Sequence, residues 1–303
     1  MTIHEKHFDN PVDFLNFLSS WNNQLYGSIF RGHSQEEYQL IPSILRDGYR
    51  ERVDMWAGPY KSNKTSRPSD LEHYQIQFEY SLLREFYKKS DLNGLKVPAS
   101  EYMRRHLAGM YDLSIVLRAE EHKTWLPFVF LDTTALAQHY GLPTRLLDWS
   151  YDPLIAAHFA AKGAFEKTGN LVVWCLNAPV VASYINNDSE LPIKLVTPPY
   201  FDNPNLSAQK GLFTHIETPI QFATKNDSGP KVDRTPLDIR LQDIFGELVN
   251  PTTAIFHKLT IPCKHAHYIY NLLQLHGYGE ARIYPGYNGI VKEILFDQTF
   301  RLK

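Results

Sequence analysis

The 303-residue chain is predicted to fold as one mixed α+β domain, with a helical subregion in its first half and strands concentrated in its second. Three observations lead there. The chain is long enough to bury a sizeable core without disulfides or structural metal. Apolar residues repeat at helical spacing between about residues 69 and 141. From residue 193 onward, short apolar runs (IKLVTP, GLFTHIE, TAIFHKLTIP) alternate with turn residues, which is how a sheet reads. No internal repeat or low-complexity tract divides the chain.

Taken in order, PVDFLNFLSSWNNQ places Phe14, Phe17, Leu18 and Trp21 on one helical stripe. LYGSIFR reads as a short strand ending at Arg31-Gly32-His33, and EYQLIPSILR as a second extended piece running into a turn. The polar stretch 55–70 is the best candidate for a long loop. DLEHYQIQFEYSLLREFYKKS is a helix with apolar positions 71, 74, 78, 82, 83 and 86 and Ser69 or Asp70 as its N-cap. One or two further helices are expected over 101–123, and another over FVFLDTTALAQHYG, stopped by Gly141 with Pro143 just beyond. Asp152 as N-cap and Pro153 at the first helical position announce a helix in YDPLIAAHFAAKGAF. LVVWCLN is a buried strand, KHAHYIYNLLQLHGYG a helix with a glycine stop, and EARIYPGYNGIVKEILFDQTF a strand, a Pro-Gly turn and a final helix.

Composition narrows the function classes. A formal charge of −2, from 31 basic and 33 acidic side chains, provides no global field to attract a polyanion. The two cysteines, Cys175 and Cys263, lie far apart and suggest neither a disulfide nor a zinc framework. The amino-terminal segment is charged and amphipathic rather than signal-like, and no run is long enough to span a bilayer, so a cytoplasmic location is expected. Aromatic residues make up 13% of the chain, which an aromatic core explains for the most part and a ligand-facing surface for the rest.

Polar residues gather at the ends of apolar elements in three places. In FRGH, Arg31 at the mouth of a strand is suited to a carboxylate or phosphate, and Gly32 would let a ligand approach the backbone; a surface arginine beside a turn glycine is the plainer alternative. In QHYGLPTRLLDWS, Asp148 and Ser150 approach the next helix N-terminus, Trp149 is available for stacking, and His139 and Tyr140 for acid-base or ring contacts. Asp148 could pair with either Arg145 or Arg31, and a buried Arg-Asp pair with Trp149 as core filler fits the same letters. In NLSAQKGLFTHIE, Gln209 precedes a strand on which His215 and Glu217 lie two apart. Phosphate loops, zinc signatures and nucleophile elbows are absent.

Phe30-Arg31-Gly32, the string from Gln138 to Trp149, Ala208-Gln209-Lys210-Gly211-Leu212-Phe213 and the tail IYPGYNGIVKEI together resemble the FRG domain family of bacterial and phage proteins. The resemblance spans residues 10–297, with 1–9 and 298–303 as terminal extensions and the helical subregion at about 69–141. Its order of landmarks is similar to that of ADP-ribosyltransferases, which implies a mainly antiparallel split sheet and NAD as a substrate, in a toxin or phage-defence setting. On that footing Arg31, Asp148, Gln209 and Glu217 are the catalytic candidates, and Arg31, Gly32, His33, His139, Tyr140, Arg145, Trp149 and Ser150 the ligand-binding ones. The sequence departs from those enzymes where a catalytic glutamate is usual: Lys210 and Gly211 follow Gln209, and Glu217 lies beyond the turn. No metal is expected, although a metal-dependent nuclease using Asp148, His139 and Glu217 is a third reading. The expected partner is a small nucleotide, with a protein or nucleic-acid acceptor as an option and no membrane. A non-catalytic nucleotide-, nucleic-acid- or protein-binding module is the main alternative to an enzyme.

Overall fold

A seven-stranded sheet organises the chain in the computed structural model, which describes residues 2–19, 21, 23–57, 67–98, 100–109, 124–187, 191–201, 203–220, 229–246 and 254–301. The strands are β1 (Thr2–His7), β2 (Ile29–His33), β3 (Thr124–Trp125), β4 (Leu147–Ser150), β5 (Asn170–Leu176), β6 (Ile193–Val196), β7 (Gly211–Ile216), β8 (Thr218–Pro219) and β9 (Ala254–Pro262). The helices are α1 (Pro11–Leu18), α2 (Asp47–Ala57), α3 (Glu72–Leu92), α4 (Leu131–His139), α5 (Pro153–Gly163) and α6 (Ala178–Asn187). They continue with α7 (Pro204–Ala208), α8 (Leu237–Phe245), α9 (Ala266–Leu275), α10 (Glu280–Ile283) and α11 (Tyr287–Arg301). The large sheet has the order β1-β9-β5-β2-β4-β7-β6 and is antiparallel except where β1 lies parallel to β9, while β3 and β8 form a separate two-stranded ribbon.

The α+β class and the antiparallel character of the sheet are as the sequence predicts. β5 is buried along nearly its whole length because both its faces are covered. Leu171, Val173 and Cys175 pack with α5 and α9, whereas Val172, Trp174 and Leu176 pack with α6 and α8. A third cluster joins α3 and α4 to Trp125 and Phe213 beside the sheet. The Asp152 carboxylate accepts the Leu154 amide at 3.1 Å to cap α5, and Gly141, at φ +94, lets the chain leave α4.

Gly32 has a different role from the one its place beside Arg31 suggests. A Cβ there would stand 1.9 Å from the Ala156 carbonyl oxygen, so the glycine lets β2 press directly on α5. Ala156, Ala157, Ala160 and Ala161 are the small residues of α5 that permit the same approach.

Other expectations are corrected by tertiary contacts. Residues 2–7, left outside the domain by sequence, supply the edge strand β1. Trp21 lies beyond the end of α1 and is exposed. The extended piece after β2 instead becomes a turn of 3-10 helix, Ser43–Leu45, followed by α2. Ser69 and Asp70 fall in a 3-10 turn, and Leu71 precedes α3 without a side-chain cap. The segment EARI is the helix α10 rather than a strand, because buried Glu280 pairs there with His158 (3.0 Å) and Lys162 (2.7 Å) of α5. Parts of the loop expected at 55–70 and of the helices expected at 101–123 lie outside the described residues.

Candidate functional site

The site forms where two central strands part. β2 and β4 share a single register pair, Phe30 with Ser150, and beyond it the Arg31 side chain enters the gap. Its Nη1 donates to the Asp148 carbonyl oxygen (2.7 Å) and lies 2.8 Å from Asp148 Oδ1. Its Nε donates to His33 Nε2 at 2.8 Å. His33 Nδ1 lies 2.9 Å from the Tyr38 carbonyl oxygen, an acceptor, which makes Nδ1 the protonated nitrogen of a neutral ring. Burial, then the charge of Arg31, push the His33 pKa down to about 3, so the ring accepts from Arg31 at neutral pH. Arg31 Nη2 has no hydrogen-bond partner among the described residues.

Asp148 sits within a concave wall, with protein around it, yet 63% of its side chain remains accessible from the cleft. Enclosure works to raise its pKa, but the charge and hydrogen bond of Arg31, followed by a backbone bond and the charge of Arg46, bring it below the usual carboxylate range. Gln138 of α4 reaches the same carboxylate oxygen, Nε2 donating to Asp148 Oδ1 at 3.3 Å, while the Gln138 amide oxygen accepts from the Thr144 hydroxyl. Ser150 Oγ donates to the Gln209 carbonyl oxygen at 2.7 Å and accepts from the Asp152 amide, tying the end of β4 to the turn before β7. Gln209 Nε2 donates to the Ile283 carbonyl oxygen at 3.3 Å, which brings Tyr284 to the rim.

These elements enclose a cleft of about 370 Å³. Arg31, Gly32, His139, Asp148, Ser150 and Gln209 all border it. His139 contributes a buried Nε2 with no hydrogen-bond partner, and burial lowers the pKa of its ring, leaving a neutral imidazole beside the cleft. Phe159 and Tyr284, their rings edge to face at 6.5 Å, supply aromatic surface.

Five expected site residues have other places; the first, His33, holds Arg31 from behind and does not line the cleft. Arg145 is buried beside α3, where its Nε donates to both Glu79 oxygens at 2.8 Å, its Nη1 to Thr218 at 2.9 Å and its Nη2 to Glu72. Burial opposes the Arg145 charge, but the two glutamates more than offset it and raise the pKa. Of the two arginines the sequence offers to Asp148, Arg31 is the one that pairs with it. Trp149 borders the cleft but turns its indole into the core with Leu147 and Phe256, where Nε1 donates to Thr214 at 3.0 Å. Tyr140 is exposed and does not line the cleft. Glu217 lies beyond β7, 3.7 Å from Lys194, so Asp148, His139 and Glu217 do not assemble. Among the described residues no group of three or more His, Cys, Asp or Glu is placed to hold a metal ion.

Sequence reasoning passed over Gln138, Phe159 and Tyr284 as site residues. Gln138 lies within the distinctive string and Tyr284 within the distinctive tail, so both were visible as motif letters without an assigned role.

The fold and site define an α+β protein with a ligand-sized cleft between diverging central strands, walled by an arginine–aspartate pair. A family model, the FRG domain, matches residues 27–168, from the start of β2 through α5, and the chain carries an FRG domain. No curated protein and no solved structure matches it significantly. Gln209 and Tyr284 complete the cleft from beyond the matched segment. Among the described residues no helix is long and apolar enough to cross a membrane.

Proposed function

We propose that the cleft binds a nucleotide and that the protein is an NAD-using enzyme, an ADP-ribosyltransferase or NAD glycohydrolase serving as a toxin or phage-defence effector. The observation that carries this reading is the meeting of Arg31, Asp148 and Gln209, from separate parts of the chain, on one cleft. Arg31 Nη2 is the donor left for a phosphate oxygen of NAD. The ionised Asp148 carboxylate would face the ribose and stabilise the positive charge that develops at its anomeric carbon. As the glycosidic C–N bond breaks, nicotinamide leaves with the bonding electron pair. A water or acceptor hydroxyl then forms the new C–O bond at the anomeric carbon and releases its proton to solvent.

Incubating the purified protein with NAD and following nicotinamide release tests this. Release should fall at least about 100-fold in Asp148→Asn, the scale expected when a transition-state electrostatic partner is removed. No release from the wild-type chain with any acceptor offered would overturn the reading. A non-catalytic nucleotide-binding module is favoured by one feature: Gln209 is committed to Ile283 and Glu217 stands away from the cleft, so Asp148 is the cleft's one carboxylate among the described residues. NAD recovered intact after long incubation with protein that binds it would select that reading.

A further inference from the structure

We infer that a second cavity, sharing Arg31 alone with the cleft, binds a ligand carrying two or more linked phosphate groups. This cavity, of about 570 Å³, lies between β2 and the segment leading into α2. Arg31, Arg46, Arg50 and Arg234 line it together with His33 and Tyr38.

Charge accounting argues for a ligand. Arg31 is engaged by Asp148. Arg50 takes Asp47 (2.9 Å) and has Asp70 at 3.9 Å. Glu72 and Glu79, the next acids along α3, are committed to Arg145. Arg46 and Arg234 are left with no carboxylate within 4.0 Å, and their hydrogen bonds go to backbone carbonyls: Arg46 to Ile41, and Arg234 to Leu45 and Ser69. Backbone acceptors thus hold two cations at one hollow without a direct ion pair among the described residues. Burial and then neighbouring arginines, Arg31 for Arg46 and Arg50 for Arg234, lower both pKa values, although Asp148 acts the other way on Arg46 and Asp70, Glu72 and the cavity-lining Asp47 on Arg234. Glu37 stands exposed at the rim with no ion pair among the described residues, and so partners neither.

The chemistry selects the anion. Several guanidinium groups around one hollow call for an acceptor with several charges and oxygens facing different directions, which a diphosphate offers and a single carboxylate does not.

Isothermal titration calorimetry on the full chain, with pyrophosphate, ADP and malonate as titrants, tests the inference. Pyrophosphate or ADP should bind, malonate at least about tenfold more weakly, and comparison of the two phosphates tells a free diphosphate from a nucleotide-borne one. Arg46→Gln should weaken phosphate binding about tenfold or more, as expected for loss of one charge-assisted pair, while Arg46→Lys should retain most of it. Arg234→Gln should act likewise. Because Arg234 also ties down two backbone segments, its variant is read only if its thermal melt shows it folded, and Arg46, which makes a single backbone bond, otherwise carries the test. Phosphate affinity unchanged in folded Arg46→Gln, no phosphate binding to the wild type, or malonate binding as tightly as pyrophosphate would overturn the inference. It does not rest on the NAD reading: Arg46-dependent pyrophosphate binding without nicotinamide release would leave it standing.

Discussion

Replacing Gly32 with alanine tests the packing beneath the cleft. The added methyl would lie 1.9 Å from the Ala156 carbonyl oxygen and 2.9 Å from the Ala160 nitrogen. Ordinary Cβ contacts begin at about 3.4 Å, so β2 and α5 must separate by roughly 1.5 Å to admit it. Both obstructing atoms are helix backbone, which no rotamer change can move aside. Overpacking of a core costs about 1–3 kcal/mol, and a clash of backbone with backbone belongs at the upper end. At about 2–4 °C per kcal/mol for a large domain, a loss of about 3 kcal/mol lowers the melting temperature by roughly 6 °C or more. Thermal and urea unfolding followed by circular dichroism provide the assay. A variant melting within about 1 °C of the wild type would show that β2 does not press on α5 in this way.

Other substitutions separate structural from ligand-facing residues. Arg145→Met leaves Glu72 and Glu79 buried without their countercharge and should destabilise the fold by about 3–5 kcal/mol in chemical denaturation, with wild-type stability counting against the buried triad. Glu217→Gln removes a peripheral partner of Lys194; its melt should shift by less than about 3 °C, because such a pair contributes under about 1 kcal/mol, and nucleotide binding should be unchanged. His33 and His215 both have pKa values lowered to about 3, so the unfolded chain binds protons near pH 6.5 that the folded chain refuses. Stability should therefore fall as pH drops from about 6.5 toward 3, by up to about 1.4 kcal/mol per unit for each ring, and His33→Gln with His215→Gln should flatten the profile of melting temperature against pH. Asp148 contributes with the same sign in a lower pH window: its depressed pKa keeps the contribution of the Arg31 pair in place above the unfolded value of about 3.9, and the contribution is lost as pH falls from there through the lower folded value. An Asp148 carboxyl signal titrating above about 4 by NMR would contradict the pairing with Arg31.

What could be read from the sequence follows what local physics determines. The α5 boundary was legible because Asp152 and Pro153 act within one turn, and the β5 strand because both its faces are apolar. Convergence of Arg31, Asp148 and Gln209 was legible as motif grouping. The α10 helix was not, since its four residues are placed by Glu280 meeting His158 and Lys162 from 122 and 118 positions away. Neither was the partner of Arg145. Glu72 and Glu79 look like solvent-facing residues in the letters of α3, and only the arrival of a buried guanidinium makes a buried face of them. The packing of Gly32 against α5 was hidden for a related reason: a glycine beside an arginine looks the same whether a ligand or a helix approaches it.

The segment from Gln138 to Trp149 shows why sequence and site diverge at single residues. Its alternate side chains leave in different directions, so neighbouring letters serve different layers of the fold. Arg145 anchors the segment to α3, Leu147 and Trp149 to the core beneath the sheet, and Asp148 alone between them faces the cleft. Gln138 and Thr144 close the loop by joining its two ends, one hydrogen bond before Asp148 and one onto it. Anchoring on both sides limits how far Asp148 can follow Arg31 if the pair is opened. A ligand phosphate that takes Arg31 Nη2 therefore meets a carboxylate held in place, and the Arg31–Asp148 contact, already made without ligand, presents both charges to the cleft in one orientation. Preorganisation of this kind is what the proposed electrostatic role needs, since a carboxylate already held in place requires no reorganisation when charge develops beside it.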